Sequence, residues 1–389
     1  MPYPCHTRKF APVFLPRSER LELPTSHRLP LSWLLEAASV PIQYRAYTEV
    51  LPFTDRDPGQ LEELRIADLA YKPAQAIARR QAGSGLWSGG LLGLGMTKGP
   101  AAGDPGTVLQ YRHLLELGWP PDQRSFRLAD RILFRLLSRD EDPGLLGEFQ
   151  RPAKSDPGLA MWARSMARQG ASAALARAGI YEEDPRLRGA AHRIANDISQ
   201  YLRSEVATKP FRKAQGTTVL DPLASPPTFF AVEMLAFLPA LQRERAGFLE
   251  RLGQYFSTPS PRRNYSILAG TKLLEPVYEI LGDPLHADAQ GRVTDVPFAL
   301  YWLELLARLG LVRQVPSASK VLARLFNECN EQGIWSPRNL RTLPKSDNPM
   351  TAHYFPLEGP GKSPAQRQTD VTFRLALIAK IMSLPLEVV

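Results

Sequence analysis

Apolar residues recur along this chain with helical spacing, and two kinds of helical segment alternate. The first kind is apolar on nearly every side, as in the segments from Thr228 to Leu238, Asp295 to Arg308 and Asp370 to Met382. Such helices are buried on more than one face. The second kind carries one apolar stripe, as around Val321 and Leu325, which is typical of a surface helix. The alternation predicts an all-α fold with an inner and an outer layer of helices.

A helical hairpin with a Gly-containing turn occurs in at least two copies. The clearer copy begins at Leu306 to Gly310 and ends in the turn Gln332 to Trp335, and an earlier copy runs from Leu114 to Leu146. One hairpin alone buries too little apolar surface, so such hairpins stack on their neighbours. The sequence therefore predicts a single stacked-hairpin domain over residues 31–389. Residues 1–30 carry six prolines and no secretory signal, and they are predicted to form a non-helical arm.

Aspartates precede several predicted helices. Thr294-Asp295 and Thr369-Asp370 each stand before an apolar segment, where a Thr or Asp side chain can cap the helix. The tripeptide Asp-Pro-Gly occurs four times, with Asp accepting from free amides and Pro opening the first turn. These sites are Asp57, Asp104, Asp142 and Asp156.

Composition and charge indicate which classes of protein and partner fit this sequence. The chain has 389 residues, of which 44% are hydrophobic and 22% charged, as in an ordinary globular protein. Lys and Arg total 48 against 39 acidic residues, giving a formal charge of +9. The basic residues form no long run and no stripe interleaved with aromatic residues, so a nucleic-acid partner is not predicted.

Cysteine usage and hydropathy indicate a cytoplasmic protein. Cys5 and Cys329 are the only cysteines and form no CxxC pair, which argues against a disulfide framework or a cysteine-rich zinc site. The longest apolar stretch, Pro226 to Leu241, is interrupted by Glu233 and Pro239 and is too short to span a bilayer. We therefore do not expect an integral membrane protein.

Two turns of the form Gly-x-Trp, Ser84 to Trp87 and Gln332 to Trp335, look like degenerate versions of a Gln-x-x-x-Gly-x-Trp motif. With the Leu-x-x-Leu-Gly hairpins, they resemble the alpha/alpha-toroid proteins, which include prenyltransferase beta subunits and squalene or terpene cyclases. The segment from Trp33 to Arg45 is similar to the start of bacterial prenyltransferase-like proteins of unassigned function. The resemblance implies a toroid over residues 31–389. Trp87 and Trp335 are predicted to be structural, packing between hairpins.

The activities of those families do not transfer to this chain. The resemblance would imply an Asp-x-Asp-Asp acid in a cyclase, and no such string is present. It would imply an Asp-x-Cys zinc spacing in a prenyltransferase, but Cys329 follows Glu328 and lies on an apolar stripe. The histidines also lack ligand spacing. We therefore predict neither a metal site nor a cofactor.

Three residues remain as candidates for chemistry. Glu233 is the only charged residue in its apolar helix, where desolvation would raise its pKa; the alternative is an ion pair with a nearby Arg or Lys. His353 and Tyr354 lie in a long irregular stretch between the last two helices, and long loops are often functional. The alternative for this pair is an ordinary surface contact.

Three hypotheses of function follow. The first is a non-catalytic toroid that binds a protein partner or an apolar small molecule in its central concavity. The second is an isoprenoid- or lipid-processing enzyme without the standard acid and zinc motifs, and the third is a carbohydrate-active toroid. A closed aromatic cavity would favour the second, an open polar groove the third, and a filled centre the first.

Overall fold

The computed structural model describes residues 21–93, 105–139, 141–261, 263–338, 340–359 and 363–389, and this part of the chain is mostly helical. Fifteen α-helices occur in these ranges: α1 (Leu31–Ala37), α2 (Val40–Arg45), α3 (Pro58–Leu69), α4 (Lys72–Arg79), α5 (Gly106–Glu116), α6 (Arg124–Leu137), α7 (Gln150–Ala153), α8 (Pro157–Arg177), α9 (Pro185–Arg203), α10 (Phe229–Ala236), α11 (Pro239–Glu244), α12 (Ala246–Phe256), α13 (Val296–Arg308), α14 (Pro316–Asn327) and α15 (Gln366–Ile381). Short π- or 3₁₀-helical turns lie at Ala46–Val50, Phe53–Asp55, Pro143–Phe149 and Glu205–Ala207.

Three small two-stranded sheets accompany the helices. Strand β1 (His27–Leu29) pairs in parallel with β6 (Leu386–Val388), with His27 opposite Leu386. Two antiparallel hairpins are formed by β2 (Phe211–Ala214) with β3 (Thr217–Leu220) and by β4 (Ile267–Ala269) with β5 (Lys272–Leu274). None of the described helices combines the length and the apolarity that a bilayer crossing requires.

The helices predicted to be buried on several sides contact one another laterally. All eight residues of α10 are buried, and α13 and α15 are buried along most of their lengths. Helix α10 packs on α13, and α13 packs on α15. The pairwise contacts continue from α10 to α8, from α8 to α5 and from α15 to α2. Helices with a single apolar stripe pack on these from one side, as α9 does on α8 and α14 on α13.

The aspartate caps form as predicted at three of the Asp-Pro-Gly sites. The carboxylates of Asp57, Asp142 and Asp156 each accept from an amide in the turn that follows; Asp104 lies outside the described residues. Asp295 caps α13 by accepting from the amide of Phe298.

The expected cap at Asp370 is wrong. Helix α15 already begins at Gln366, so Asp370 lies inside it. Its carboxylate accepts instead from the amide of Leu357 and from Nε of Arg374, both at 2.7 Å. An arginine one turn further along the helix therefore holds this aspartate in the interior.

In both Gly-x-Trp turns, the tryptophan amide is hydrogen-bonded to a threonine of the helix that follows. Gly333 has φ of 85°, and an added Cβ would lie 2.2 Å from the carbonyl oxygen of Arg28, so only glycine fits. The amide of Trp335 donates to the Thr372 hydroxyl of α15 at 3.0 Å, and its indole donates to Glu328 at 3.1 Å. The indole is 3% exposed.

The equivalent turn at Trp87 repeats this arrangement. Its amide donates to the Thr107 hydroxyl of α5 at 3.1 Å, its indole donates to the carbonyl of Ile77, and Gly85 has φ of 92°. Both tryptophans are therefore buried and hydrogen-bonded to the helix that follows their turn.

We expect Trp335→Ala to lower the free energy of unfolding by about 3 to 5 kcal/mol, because it deletes a large buried aromatic side chain. Urea denaturation monitored by circular dichroism measures the change. Phe53→Ala is the matched control, since Phe53 is 83% exposed and its truncation should cost about 0.5 kcal/mol or less. Equal midpoints for the Trp335→Ala and wild-type proteins would contradict a structural role.

Candidate functional site

Glu116 is a fully buried carboxylate surrounded by arginines from other helices. It lies at the end of α5, and its side chain is 0% exposed. It accepts a hydrogen bond from Arg45 of α2 at 2.7 Å, from Arg374 of α15 at 3.3 Å and from Arg177 of α8. Arg112, on α5 itself, lies 3.8 Å away. One carboxylate thus joins four helices.

Three further carboxylates complete this cluster. Glu233 of α10 pairs with Arg112 at 3.3 Å and with Arg177 at 3.1 Å. Asp370 pairs with Arg374 within α15. Glu304 of α13 lies 3.9 Å from Arg177 and binds Arg308 at 2.9 Å.

These residues form what we call the central ion-pair cluster. It contains four arginines and four carboxylates, each with a side chain at most 5% exposed, so its formal charge is zero. Its members are Arg45, Arg112, Arg177, Arg374, Glu116, Glu233, Glu304 and Asp370.

The arginines lower the pKa of two carboxylates of the cluster, Glu116 and Glu304. Burial by itself would raise the pKa of Glu116, but Arg177, Arg374, Arg45 and Arg112 together hold it well below its ordinary value. The pKa of Glu304 is also lowered, since Arg308 and Arg177 outweigh its burial. A carboxylate that stays ionised at low pH cannot donate a proton to a substrate at neutral pH.

Two of the three residues singled out in the sequence meet at Arg112. Its guanidinium binds Glu233, donates to the Tyr354 hydroxyl at 2.8 Å and lies between the rings of Tyr354 and Tyr301, 4.5 and 4.3 Å from their centroids. Glu233 and Tyr354 are each 2% exposed. Of the two interpretations of Glu233, the contacts correspond to the ion pair.

His353, the third such residue, lies next to the cluster without joining it. Its Nε2 is 3.1 Å from the carbonyl oxygen of Leu109, and its ring contacts that of His113 at 5.9 Å. Burial, together with His113 and Arg112, lowers the pKa of His353 well below its ordinary value. The imidazole is therefore neutral at neutral pH.

A groove, which we call the lateral groove, lies between α8, α9, β3 and β4. This lateral groove has a volume of about 830 Å³, within the range typical of small-molecule sites. Its apolar surface includes Met161, Trp162, Ile194, Leu220, Ile267 and Leu268. Polar residues along it include Arg164, Arg168, Gln169, Arg193, Asp197, Asp221 and Glu279.

Asp156 holds the β4–β5 wall of the groove against the start of α8. Its carboxylate accepts from the amide of Leu159 and from both the amide and the hydroxyl of Thr271, at 2.7 to 3.0 Å. These bonds lower the pKa of Asp156 to about 2. Gly158 and Gly270 meet so closely that a Cβ on Gly158 would lie 2.5 Å from the Cα of Gly270.

No group of three or more His, Cys, Asp or Glu side chains in the described ranges is arranged to hold a metal ion. Cys329 is half-buried, and its thiol lies 3.7 Å from the carbonyl oxygen of Leu325. Burial, assisted by Glu328, raises the pKa of Cys329 to about 12, so the thiol is neutral. Cys5 and His6 lie outside the described residues.

Comparison of the chain with protein-family models, curated proteins and solved structures gives no match. Function is therefore argued from the central ion-pair cluster and the lateral groove.

We expect Glu116→Gln to lower the free energy of unfolding by about 3 to 5 kcal/mol near neutral pH, because it leaves four buried arginines facing three carboxylates. Denaturant titration at several pH values measures it. The pKa of Glu116 is lower in the folded than in the unfolded chain, so its contribution is present above about pH 4 and is lost as the pH falls further. The difference between variant and wild type should therefore shrink in acid.

The exposed Glu62 provides the control for that experiment. It pairs with Arg65 at the surface, and surface pairs contribute little, so Glu62→Gln should leave the midpoint unchanged. A Glu116→Gln protein as stable as Glu62→Gln at neutral pH would show that the cluster is not a structural requirement.

We expect Asp156→Ala to release the β4–β5 hairpin from α8, because the hairpin loses two hydrogen bonds from Thr271. Hydrogen exchange should quicken in residues 267–274 relative to wild type. The wild-type hairpin should loosen only as the pH falls from about 4 to about 2, since the lowered pKa keeps Asp156 ionised above that window. Asp57→Ala, which removes the cap of α3, should leave exchange in this hairpin unchanged.

Proposed function

We propose that this protein is a non-catalytic alpha/alpha toroid that binds an apolar small molecule, and that its binding site is the lateral groove and not the central concavity. The observation that carries the proposal is the central ion-pair cluster. Its eight side chains neutralise one another and are at most 5% exposed. A ligand at the centre would have to displace buried, paired charges at high cost.

The toroid itself is part of this proposal. The contacts α5–α8, α8–α10, α10–α13, α13–α15 and α15–α2 form a chain of neighbours. The bond from Arg45 of α2 to Glu116 of α5 joins its two ends. A ring of inner helices accounts for both facts, and the one-sided packing of α9 and α14 is what an outer layer requires.

The same cluster argues against an isoprenoid-processing enzyme. An isoprenoid diphosphate requires cations that are free to bind its phosphates, whereas the four central arginines already bind carboxylates. A cyclase acid must be protonated at neutral pH, which requires a raised pKa. The pKa values of Glu116 and Glu304 are lowered instead.

A carbohydrate-active protein is the second candidate. The lateral groove is open, and it is lined by two carboxyl groups, Asp197 and Glu279, whose pKa values are raised by burial, together with the indole of Trp162. Such carboxyls beside an aromatic ring occur in oligosaccharide sites. Release of reducing ends from a soluble oligosaccharide such as maltohexaose, lost in a Glu279→Gln variant, would favour this candidate.

Filling the groove tests the proposed function. Ser165 is an exposed groove residue on α8, and Ser165→Trp should occupy the space beside Trp162. We expect this variant to bind 4-phenylbutanol at least about tenfold more weakly than wild type by ligand-observed NMR. Gln200→Trp, which also introduces a tryptophan but at an exposed position of α9 away from the groove, should bind like wild type. Equal affinity in all three proteins, or no binding to any, would overturn the proposal.

A further inference from the structure

Glu279 is the unusual polar group of the lateral groove. It lies half-buried in the groove wall, opposite Thr228 at the start of α10. Among the described residues, its carboxylate accepts from the amide of Tyr278, at 3.3 Å, and from its own amide. A carboxylate can accept about four hydrogen bonds, so about half of its acceptor capacity is unused.

No cation of the described chain forms an ion pair with Glu279. Of the arginines that line the groove, Arg164 and Arg168 bind Glu141. Burial raises the pKa of Asp197, and the charge of Arg193 on the same helix offsets part of that effect. The positive charge of the groove is therefore already opposed by other carboxylates on the α8 and α9 side.

Two tyrosines are among the titratable neighbours of Glu279. Tyr265 and Tyr278 interact with its charge, and burial raises the pKa of both, so they are neutral at neutral pH. Across the groove stand Asp197 and Arg193 of α9, and Asp221 follows β3. Burial raises the pKa of Glu279 itself to about 7, because an ionised carboxylate in this position lacks a compensating charge.

We propose that the ligand of the lateral groove is an apolar molecule with a basic amine, and that Glu279 binds the ammonium group. The inference rests on the proposed function and names the ligand class for the same site. Met161, Trp162, Ile194 and Leu268 supply apolar surface for the body of such a molecule. Glu279 supplies the counter-charge, and the ammonium donates to the carboxylate oxygens that the protein leaves free.

The pH dependence of binding follows from this assignment. An alkylamine remains protonated across the neutral range, so affinity depends on the ionisation of Glu279. Its pKa in the free protein is about 7, and binding should therefore strengthen as the pH rises through that value. A ligand that accepted a hydrogen bond from the protonated carboxyl group of Glu279 would instead bind more weakly as the pH rises.

Three probes with one apolar body test the proposal: 4-phenylbutylamine, 4-phenylbutanol and 4-phenylbutanoate. By calorimetry at about pH 8, we expect the amine to bind at least about tenfold more tightly than the alcohol, and the carboxylate most weakly. Glu279→Gln should remove this preference and leave the affinity for the alcohol unchanged. Glu275→Gln, at an exposed glutamate four residues away in the same loop, should behave as wild type.

The outcomes separate this inference from the proposed function. If the alcohol binds and Ser165→Trp blocks it, but the amine shows no preference or Glu279→Gln has no effect, the groove is a ligand site and the amine assignment is wrong. If no probe responds to Ser165→Trp, the groove itself is not the site. An amine affinity that rises about tenfold between about pH 5.5 and pH 8 in wild type, and stays flat in Glu279→Gln, supports the assignment.

Discussion

The neutralisation of Glu116 is the constraint on which the rest of this structure depends. An ionised carboxylate removed from water costs several kcal/mol, and this one is stable only because arginines from α2, α8 and α15 reach it together. Those arginines bind further carboxylates: Arg45 pairs with Glu49, Arg177 with Glu233 and Glu304, and Arg374 with Asp370. The positions of six helices relative to one another are therefore fixed by hydrogen bonds with strict geometry. Helices joined only by apolar contacts could shift along one another more easily.

That constraint is also the basis for the proposed location of the ligand site. The charged groups of the central ion-pair cluster are paired with one another, so a ligand bound there would have to replace those contacts. The groove beside α8 and α9 lies outside the cluster, and its wall is a hairpin that Asp156 and Thr271 attach to the end of a helix. A change in the hairpin can alter the groove without disturbing the charge balance at the centre.

The sequence predicted the elements better than the chemistry. The buried segments α10 and α13 and the joints at Trp87 and Trp335 follow from local periodicity and from glycine turns, which a short window contains. Asp370 was misassigned as a cap because the pattern Thr-Asp-Val cannot reveal a helix that starts four residues earlier. Glu233 stands out because it is the only charged residue of its helix. Glu304 shares α13 with Arg308, and α15 contains charged residues besides Arg374, so this criterion does not identify them.

The arginine partners and the groove required the tertiary structure. Arg45 and Glu116 are 71 residues apart and Arg374 is 258 residues from Glu116, so no spacing rule connects them. The strands of the groove wall are three or four residues long, too short for an alternating pattern to stand out. Asp156 illustrates the remaining limit: its Asp-Pro-Gly context correctly predicts a helix cap, but the second oxygen of its carboxylate is free to bind Thr271 only because the chain returns there 115 residues later. The residue that caps α8 thus also anchors the β4–β5 wall of the lateral groove, because a carboxylate has more acceptor sites than a helix cap uses.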